Sequence, residues 1–300
     1  ASSNEYAFLR GAATTLGLGK FDLTVFYSNR RVDANLVQAD TANSTEEMVT
    51  SLQETGYHRT PAEIADKGAN HEKAGGGHLA WNGQRLRTGI TAYHVNYAIP
   101  FEPQDSPDKK FQPVLNSNTY LGIDYSYNYK TLTLYGEASK QLDAGLAVLQ
   151  GLSFSPDASL SFAMVYRNYQ KNYVNYFNAA FGESSNSTNE KGLYMGMVAT
   201  PLSKITLSAY ADFFRYDWLR YSVDAPSSGQ EYSVQLVYNI SRRGDLVLGY
   251  RQLVNPMNYS LNDEKMNQLG DSKRDYYRLQ LNYQALSWLK FQGRIEITKR

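Results

Sequence analysis

The chain has 300 residues, with 30 lysines and arginines against 29 aspartates and glutamates, and it contains no cysteine. Because the charges balance and no lysine–arginine block stands out, a basic nucleic-acid surface is excluded, and the lack of cysteine excludes disulfides and Cys-ligated metals. Hydrophobic residues make up 42 % of the chain, yet no run approaches the roughly 20 apolar residues of a spanning helix, which excludes a helical membrane protein.

Apolar and polar residues alternate along much of the chain, and this period of two is typical of β-strands with one apolar and one polar face. In chain order the alternation predicts seven strand pairs, at residues 5–16 and 20–33, 74–82 and 84–98, 117–128 and 130–141, 145–154 and 157–171, 190–200 and 203–221, 230–240 and 244–254, and 274–285 and 288–299. Each strand has about ten residues, which is the length of a transmembrane β-strand.

The connections between the predicted strands alternate between short and long. Within a pair the turn is short, as at Asn82–Gly83, whereas long segments such as 34–73 and 172–189 mostly join the pairs. An outer-membrane barrel has short turns on one side and long loops on the other, while a Greek-key sandwich has no reason for this alternation. We therefore predict an all-β, antiparallel, up-and-down transmembrane β-barrel of about fourteen strands, with residues 1–300 as one domain.

The aromatic residues support the same prediction. The chain has 25 tyrosines, and tyrosine favours both strands and the boundary between membrane and water. Trp81 and Trp288 lie beside short turns and Trp218 lies near the far end of a long strand, so we expect them at the two membrane interfaces. The alternative is ordinary packing at strand ends, which any β protein can have.

Charged residues on the polar strand faces are expected to point into the barrel lumen, because the apolar faces contact lipid. Leu207, Leu281 and Phe291 are expected on the lipid face, and Gln280 is expected on the lumen face. The charged residues predicted to face the lumen are Arg87, Asp124, Glu137, Arg167, Asp212, Arg251, Arg278, Arg294 and Glu296. Since both signs occur, we expect ion pairs across the lumen and little ion selectivity. The alternative is that these charges only hydrate or brace the barrel wall.

The longest connection, residues 34–73, is predicted to contain two short helices and to form a cap or plug. Ser44 and Glu47 match a capping box, and Pro61 after Thr60 marks a second helix start. Short helices need a surface to pack on, and the barrel mouth or its inner wall is the nearest one. The contact residues are expected to be Met48, Leu52, His58, Arg59 and Ile64, with His58 and Arg59 reaching lumen carboxylates such as Asp124 or Glu137. The alternatives are a shield for the loop backbone and a docking surface for another subunit.

No motif points to catalysis or to a bound cofactor. The histidines His58, His71, His78 and His94 form no HExxH motif and no i, i+4 pair, and no GxSxG motif is present. We therefore expect no metal, no cofactor and no chemistry, although a Ser–His–carboxylate site assembled in space stays an alternative. Gly17–Lys20 is similar to a DNA-binding glycine hairpin, but a tight turn explains its glycines, and no nucleic-acid partner is expected.

One segment resembles a known family. Ser51-Leu52, Thr55-Gly56, His58-Arg59-Thr60 and Glu63, followed by the glycine-bearing strand Gly75–Trp81, are similar to the barrel portion of Bacteroidota outer-membrane proteins that carry an N-terminal helix-hairpin-helix region. The resemblance covers residues 51–97 and implies the outer membrane of a Gram-negative bacterium. It implies no catalytic residue and no DNA binding, because the helix-hairpin-helix region is not among these residues. The chain opens without a signal peptide and its last strand lacks a terminal aromatic residue, so we expect a segment of a longer protein.

These patterns lead to one functional expectation and two alternatives. The expected role is a pore, a transporter or a structural component of an envelope complex, with the lipid bilayer and other envelope proteins as partners. The first alternative is an outer-membrane hydrolase. The second is a soluble, tyrosine-rich β-sandwich that binds glycans or proteins, which would not need detergent to stay in solution.

Overall fold

The structure is a computed structural model that describes residues 8–41, 44–53, 56–184, 187–259 and 267–300. Within these ranges the protein is all-β, and its strands follow one another up and down an antiparallel sheet. The sixteen strands of these ranges are β1 (Gly11–Leu18), β2 (Phe21–Val32), β3 (Ala34–Thr41), β4 (Ser44–Leu52), β5 (Asn70–Asn82), β6 (Leu86–Phe101), β7 (Leu115–Tyr129), β8 (Leu132–Gln141), β9 (Leu146–Asp157), β10 (Leu160–Tyr169), β11 (Glu190–Leu202), β12 (Ile205–Tyr216), β13 (Ser227–Ser241), β14 (Gly244–Tyr259), β15 (Gln268–Leu286) and β16 (Leu289–Lys299). The described helical segments are α1 (Pro61–Ala65) and a 3-10 turn at Pro107–Lys109.

Fourteen of these strands form one path in which each strand pairs with the next, in the order β1-β2-β5-β6 and then consecutively to β16. This path confirms the predicted up-and-down arrangement and its strand number. The other two strands, β3 and β4, pair with each other off the path. A parallel bridge between Val49 and Phe101 joins β4 to β6.

The connections alternate as predicted. Turns of two or three residues join β1 to β2, β5 to β6, β7 to β8, β9 to β10, β11 to β12, β13 to β14 and β15 to β16. Longer connections follow β2, β6, β10, β12 and β14, and the link after β8 at residues 142–145 is the short exception. Antiparallel neighbours reverse direction at each turn, so the short turns belong to one end of the strands and the long connections to the other.

The chain separates into two compact units. The first unit comprises residues 1–127, 136–148 and 169–189, and the second comprises residues 128–135, 149–168 and 190–300. The expectation that residues 1–300 form a single domain stays a prediction.

In the first unit the strand register sorts apolar and polar side chains onto opposite faces. Consecutive register partners across β2, β5, β6 and β7 are Leu23, Leu79, Ile90 and Ile123. The next positions along the same strands are Thr24, His78, Thr91 and Gly122, which are again register partners. Because successive side chains point to opposite sides of a strand, the leucines and isoleucines share one face, the apolar face, and the others share the polar face.

In the second unit the same separation runs across five strands. Register partners on the apolar face are Leu207, Leu236, Leu248, Leu279 and Ile295. Ile295 is 60 % exposed, whereas Asp212 on the polar face is 3 % exposed. The register also bears out that Leu281 and Phe291 share the apolar face and that Gln280 and Arg294 share the polar face. On these strands leucine and isoleucine side chains such as Leu248 and Ile295 are exposed, whereas the carboxylates of Asp212 and Glu231 are buried.

The first predicted helix of the longest connection is wrong, because residues 44–52 form strand β4 and pair with β3. A capping box is a local signal that stabilises a helix by only a small amount, and short helices are marginal in water. Pairing with β3 satisfies the backbone and buries Val49 completely, so tertiary contacts decide against the helix. The second predicted helix is confirmed as α1, which begins after Thr60 with a complete capping box.

Gly76 on β5 is expected to tolerate no side chain. A Cβ atom added there would lie 2.3 Å from the Tyr93 Cβ atom and 2.4 Å from the Ala92 carbonyl oxygen, so Gly76→Ala should force β5 and β6 apart. The expected cost is about 1–3 kcal/mol of unfolding free energy, measured as a lower midpoint of thermal unfolding in detergent by circular dichroism. Gly75→Ala is the matched control, because a Cβ atom there meets Tyr27 at an ordinary 3.5 Å. Equal midpoints for the two variants would contradict this register.

Candidate functional site

The polar face of the first unit holds the predicted residues Arg87, Asp124 and Glu137. Arg87 is the register partner of Ser126, two residues from Asp124, so both lie on this face. The His78 Nε2 atom lies 3.1 Å from the Asp124 Oδ2 atom, whereas Arg87 and Glu137 are exposed. Within the described ranges no ion pair joins any two of the three residues.

The described parts of residues 33–69, which we call the hairpin connection, fold onto the polar face of the first unit. Ala34 and Val49 are fully buried and belong to one hydrophobic cluster with Ala74 and Val95 from β5 and β6. Ala74 and Val95 are register partners on the polar face. The predicted packing of this connection against the sheet is therefore present, although its role as a plug stays a prediction.

The contacts of the hairpin connection differ from those expected. His58 pairs with Asp33 at 2.7 Å, and Arg59 pairs with Glu63 at 3.2 Å. The expectation that His58 and Arg59 reach lumen carboxylates is therefore wrong, because each finds a carboxylate within its own connection. Hydrogen bonds from the Arg59 side chain and backbone lower the pKa of Glu63, which keeps the helix cap charged.

The predicted apolar stripe of Met48, Leu52 and Ile64 is only partly present. Leu52 packs against the buried cluster, Met48 is half-buried, and Ile64 is 56 % exposed. The predicted stripe does not form because the prediction assumed helical spacing from residue 48 onward. In strand β4, alternate residues point to the same side. Val49, which helical spacing did not select, is the main anchor.

The described parts of residues 170–189, which we call the tyrosine connection, also fold onto the polar face of the first unit. The Tyr120 hydroxyl donates to the Val174 carbonyl at 2.7 Å, and the Val174 N–H donates to the Gln141 Oε1 atom at 3.0 Å. The Tyr173 hydroxyl donates to the Ser139 hydroxyl at 3.0 Å. Tyr173 is almost fully buried, and this burial raises the pKa of its phenol. Side chains of the sheet therefore hold the backbone of this connection directly.

Both connections meet at Phe101, the last residue of β6. Phe101 bridges to Val49 of the hairpin connection, and its ring centroid lies 5.6 Å from that of Tyr176 in the tyrosine connection. Nearby, Phe177 meets the Tyr93 ring edge-on at 6.5 Å. Aromatic pairs of this kind bury large apolar areas and fix ring orientation. The first unit thus has a hydrophobic core, the Phe101 core, on the face where the sequence predicts a lumen.

In the second unit, Arg167 on β10 is fully buried between two carboxylates. Its Nε atom donates to Glu190 at 2.5 Å, and its Nη atoms donate to the two Asp212 oxygens at 2.8 and 3.1 Å. A Cβ atom on Gly192 would lie 2.3 Å from the Arg167 Cζ atom, so the missing side chain leaves room for the guanidinium. Forked Arg–carboxylate contacts of this kind are strong when fully desolvated.

The polar network extends from Asp212 across the sheet to the next strands, β13 and β14. Asp212 is the register partner of Glu231, and Arg251 donates to both Glu231 oxygens at 2.7 and 2.6 Å. The Tyr210 hydroxyl donates to Glu231 as well. The carboxylate of Glu231 is thus held by groups from the strands on either side of β13.

The remaining predicted charged residues of the second unit lie on β15 and β16, and they make two contacts that are more exposed than those of Arg167. Arg278 donates to Glu296 at 2.7 Å, and Arg294 donates to Gln280 at 2.9 Å. Arg278 and Glu296 are direct register partners. The ion pairs that join two predicted residues in the described part of the second unit lie within one strand, as Arg294 and Glu296 do, or link strands that neighbour each other or lie two apart. The expected pairing across a lumen is wrong for these residues, because adjacent strands lie only about 4.8 Å apart and bring opposite charges together first.

Four of the buried charged residues on the described polar faces were missed by the sequence analysis. They are Arg30 and Glu72, which form a buried pair at 2.7 Å in the first unit, and Glu190 and Glu231 in the second unit. Glu72 lies outside the predicted strand 74–82, and Glu190 is the first residue of its strand. Continuing the period of two beyond the predicted end of strand 74–82 would have found Glu72, and Glu190 could have been found by the alternation within the predicted strand 190–200.

Two kinds of feature are absent from the described residues. No group of three or more His, Asp or Glu side chains in these ranges is placed to hold a metal ion. None of the helices in the described ranges has the length and apolar content to cross a membrane.

Replacing Arg167 should destabilise the second unit strongly. Arg167→Gln leaves Glu190 and Asp212 buried without their cation, and breaking a buried pair in this way costs about 3–5 kcal/mol. The measurement is a urea titration of the detergent-solubilised protein, followed by tryptophan fluorescence. Arg278→Gln is the matched control, since its side chain is 44 % exposed and exposed pairs contribute about 0–1 kcal/mol. Adding Glu190→Gln and Asp212→Asn should restore much of the loss, and equal losses for Arg167→Gln and Arg278→Gln would contradict the buried network.

Comparison with known proteins adds no assignment to this geometry. No protein-family model matches the chain. A comparison with curated proteins gives no match either. The resemblance of residues 51–97 to Bacteroidota outer-membrane proteins therefore stays a prediction.

Proposed function

We propose that this protein is an outer-membrane β-barrel that forms a gated passage for small polar solutes and has no chemistry of its own. The single observation that carries the proposal is the inversion of its two faces. Leucine and isoleucine rows lie exposed on the apolar face, while Arg167, Glu190 and Asp212 lie buried on the polar face. Soluble monomers rarely expose apolar patches of this extent, whereas a lipid-facing strand requires them.

The ends of the apolar face support a bilayer as the surrounding medium. On β5 the apolar face ends in Trp81 beside a short turn, and on β2 it ends in Tyr27 toward a long connection. In the second unit Tyr250 and Tyr277 are register partners at the corresponding end, and their ring centroids are 5.3 Å apart. Aromatic rings at both ends of an apolar band are typical of residues at membrane–water interfaces.

The Phe101 core favours a gated passage rather than a permanently open pore. A barrel of about fourteen strands is wide enough to hold water unless something fills it. The hairpin and tyrosine connections place apolar and aromatic side chains on the polar face of the first unit. Hydrogen bonds from Tyr120 and Gln141 to the Val174 backbone hold the tyrosine connection in place. Passage through such a barrel would require this segment to move.

A role as a structural component of an envelope complex is the second candidate. It is favoured by the same packed core, because a barrel that stays closed can still anchor partners through its long connections. The two roles differ in whether solutes pass once the connections are shortened.

Shortening the tyrosine connection should raise single-channel conductance several-fold. The variant replaces residues 174–186 with a short glycine–serine linker, which removes Val174, Tyr176 and Phe177 from the polar face. The measurement is a planar-bilayer recording after the variant is shown to be folded by circular dichroism. A matched control shortens residues 217–226, which contribute nothing to the Phe101 core. Unchanged conductance in both folded variants would favour the structural role, and a parent chain that stays monodisperse without detergent would refute the barrel.

The open variant should show little preference between cations and anions. The nine predicted polar-face residues carry five positive and four negative charges, and the four missed residues add one positive and three negative. The set therefore stays within one charge of neutrality, and most of its members are paired. The measurement is the reversal potential of the shortened variant in a tenfold potassium chloride gradient. A reversal potential close to the Nernst limit for either ion would contradict this charge balance.

A further inference from the structure

The apolar face of the first unit ends in a cluster of basic residues. On β2 the residues of this face run Phe21, Leu23, Val25 and Tyr27, and the next two positions are Asn29 and Arg31. On β5 the corresponding partners of Asn29 and Arg31 are Lys73 and His71. We call Arg31, His71 and Lys73 the basic patch. It begins one position beyond Tyr27, at the end of the strands that leads to the long connections.

Arg31 and Lys73 have no counter-ion among the described residues. Both are exposed, and the neighbouring carboxylate of Glu72 belongs to the polar face, where Arg30 holds it at 2.7 Å. Asp33, which follows β2, is occupied by His58 and by the Gly68 N–H, both at 2.7 Å. Arg31 and Lys73 are diagonal neighbours across two strands, and such positions are about 7–8 Å apart. That separation allows two long cationic side chains to converge on one anion.

A shallow groove lies directly below the basic patch. Gly75 and Gly77 are the next residues of β5 on the apolar face, and they present no side chain. Their register partners form the walls, with Val25 and Tyr27 on β2 and Ala92 and His94 on β6. At Gly75 an added Cβ atom would meet nothing closer than 3.5 Å. Packing within the protein therefore does not require glycine at this position, and its effect is to keep the groove open.

We propose that the groove and the basic patch bind one phosphate-bearing membrane lipid. An acyl chain lies along Gly75 and Gly77, and the phosphate accepts hydrogen bonds from Arg31 and Lys73. Guanidinium and ammonium groups are the natural partners of phosphate, and their attraction is strengthened beside a low-dielectric phase. The inference rests on the proposed function, because it requires the apolar face to contact lipid.

The experiment compares two lipids that differ only in the phosphate. The detergent-solubilised full chain is titrated with dioleoyl phosphatidic acid or with dioleoylglycerol, and bound lipid is counted by native mass spectrometry. One molecule of phosphatidic acid should bind in preference to the diacylglycerol. Arg31→Gln with Lys73→Gln should weaken phosphatidic acid binding about 30-fold, as expected for the loss of two cations near a membrane surface, and should leave diacylglycerol binding unchanged.

Two further variants separate the groove from general electrostatics. Gly75→Leu fills the groove and should weaken the binding of both lipids, while Gly75→Ala should weaken them less. Lys273→Gln with Lys299→Gln is the matched control, because these cations lie on the apolar face at the same end of β15 and β16 and flank Asp275. Binding of phosphatidic acid should be unaffected in that control.

Several outcomes would overturn the lipid site. Equal binding of the two lipids would show that the phosphate is not recognised. Equal losses in the control and the patch variant would show a general attraction of anions without a site. Displacement of phosphatidic acid by inorganic phosphate at the same concentration would assign the patch to a free anion. Vesicle insertion, tested by protease protection on the same preparations, separates the two proposals. A chain that inserts without lipid preference loses only this inference, whereas a chain that does not insert loses the proposed function and this inference together.

Discussion

Strand register is the constraint on which the rest of this structure depends. Because side chains alternate along a strand, a slip of one residue would place every buried charge on the apolar face and every leucine on the polar face. The backbone ladders of β11 to β16 hold Leu207, Leu248 and Ile295 in one row. The same ladders bring Arg167, Asp212 and Glu231 within reach of their partners. Faces, ion pairs and glycine positions all follow from this one periodic arrangement.

Within the first unit, other parts of the protein cover some of the polar face. Ala74, Val95 and Tyr120 lie on it, and two connections cover them with Val49, Tyr173 and Phe177. Burying these side chains compensates for the ordering of two long segments, which would otherwise be entropically costly. The result is a core that belongs partly to the sheet and partly to its connections. Such a core stabilises the sheet while it is intact.

The charged side chains differ in burial and in partners from one part of the molecule to another. Arg167 and Arg30 are buried and fully engaged by carboxylates on neighbouring strands, so their role is to satisfy the polar faces internally. Arg278 is half-exposed, and its contact with Glu296 contributes little to stability. Arg31 and Lys73 have no carboxylate partner in the described part of the chain, and they lie where the apolar face ends. This last arrangement leaves positive charge available to a ligand.

The sequence by itself determined the strand pattern, the fourteen-strand path, the alternation of short and long connections and the separation of faces, because all of these are written in local periodicity. It also located α1, whose cap is formed by residues three apart. It did not determine that residues 44–52 pair as a strand, since that depends on β3 and on Phe101, about 50 residues away. Nor did it reveal the Phe101 core or the sideways pairing of Arg167, Glu190 and Asp212. Those features require residues from distant segments to meet, and only the tertiary structure decides which segments do.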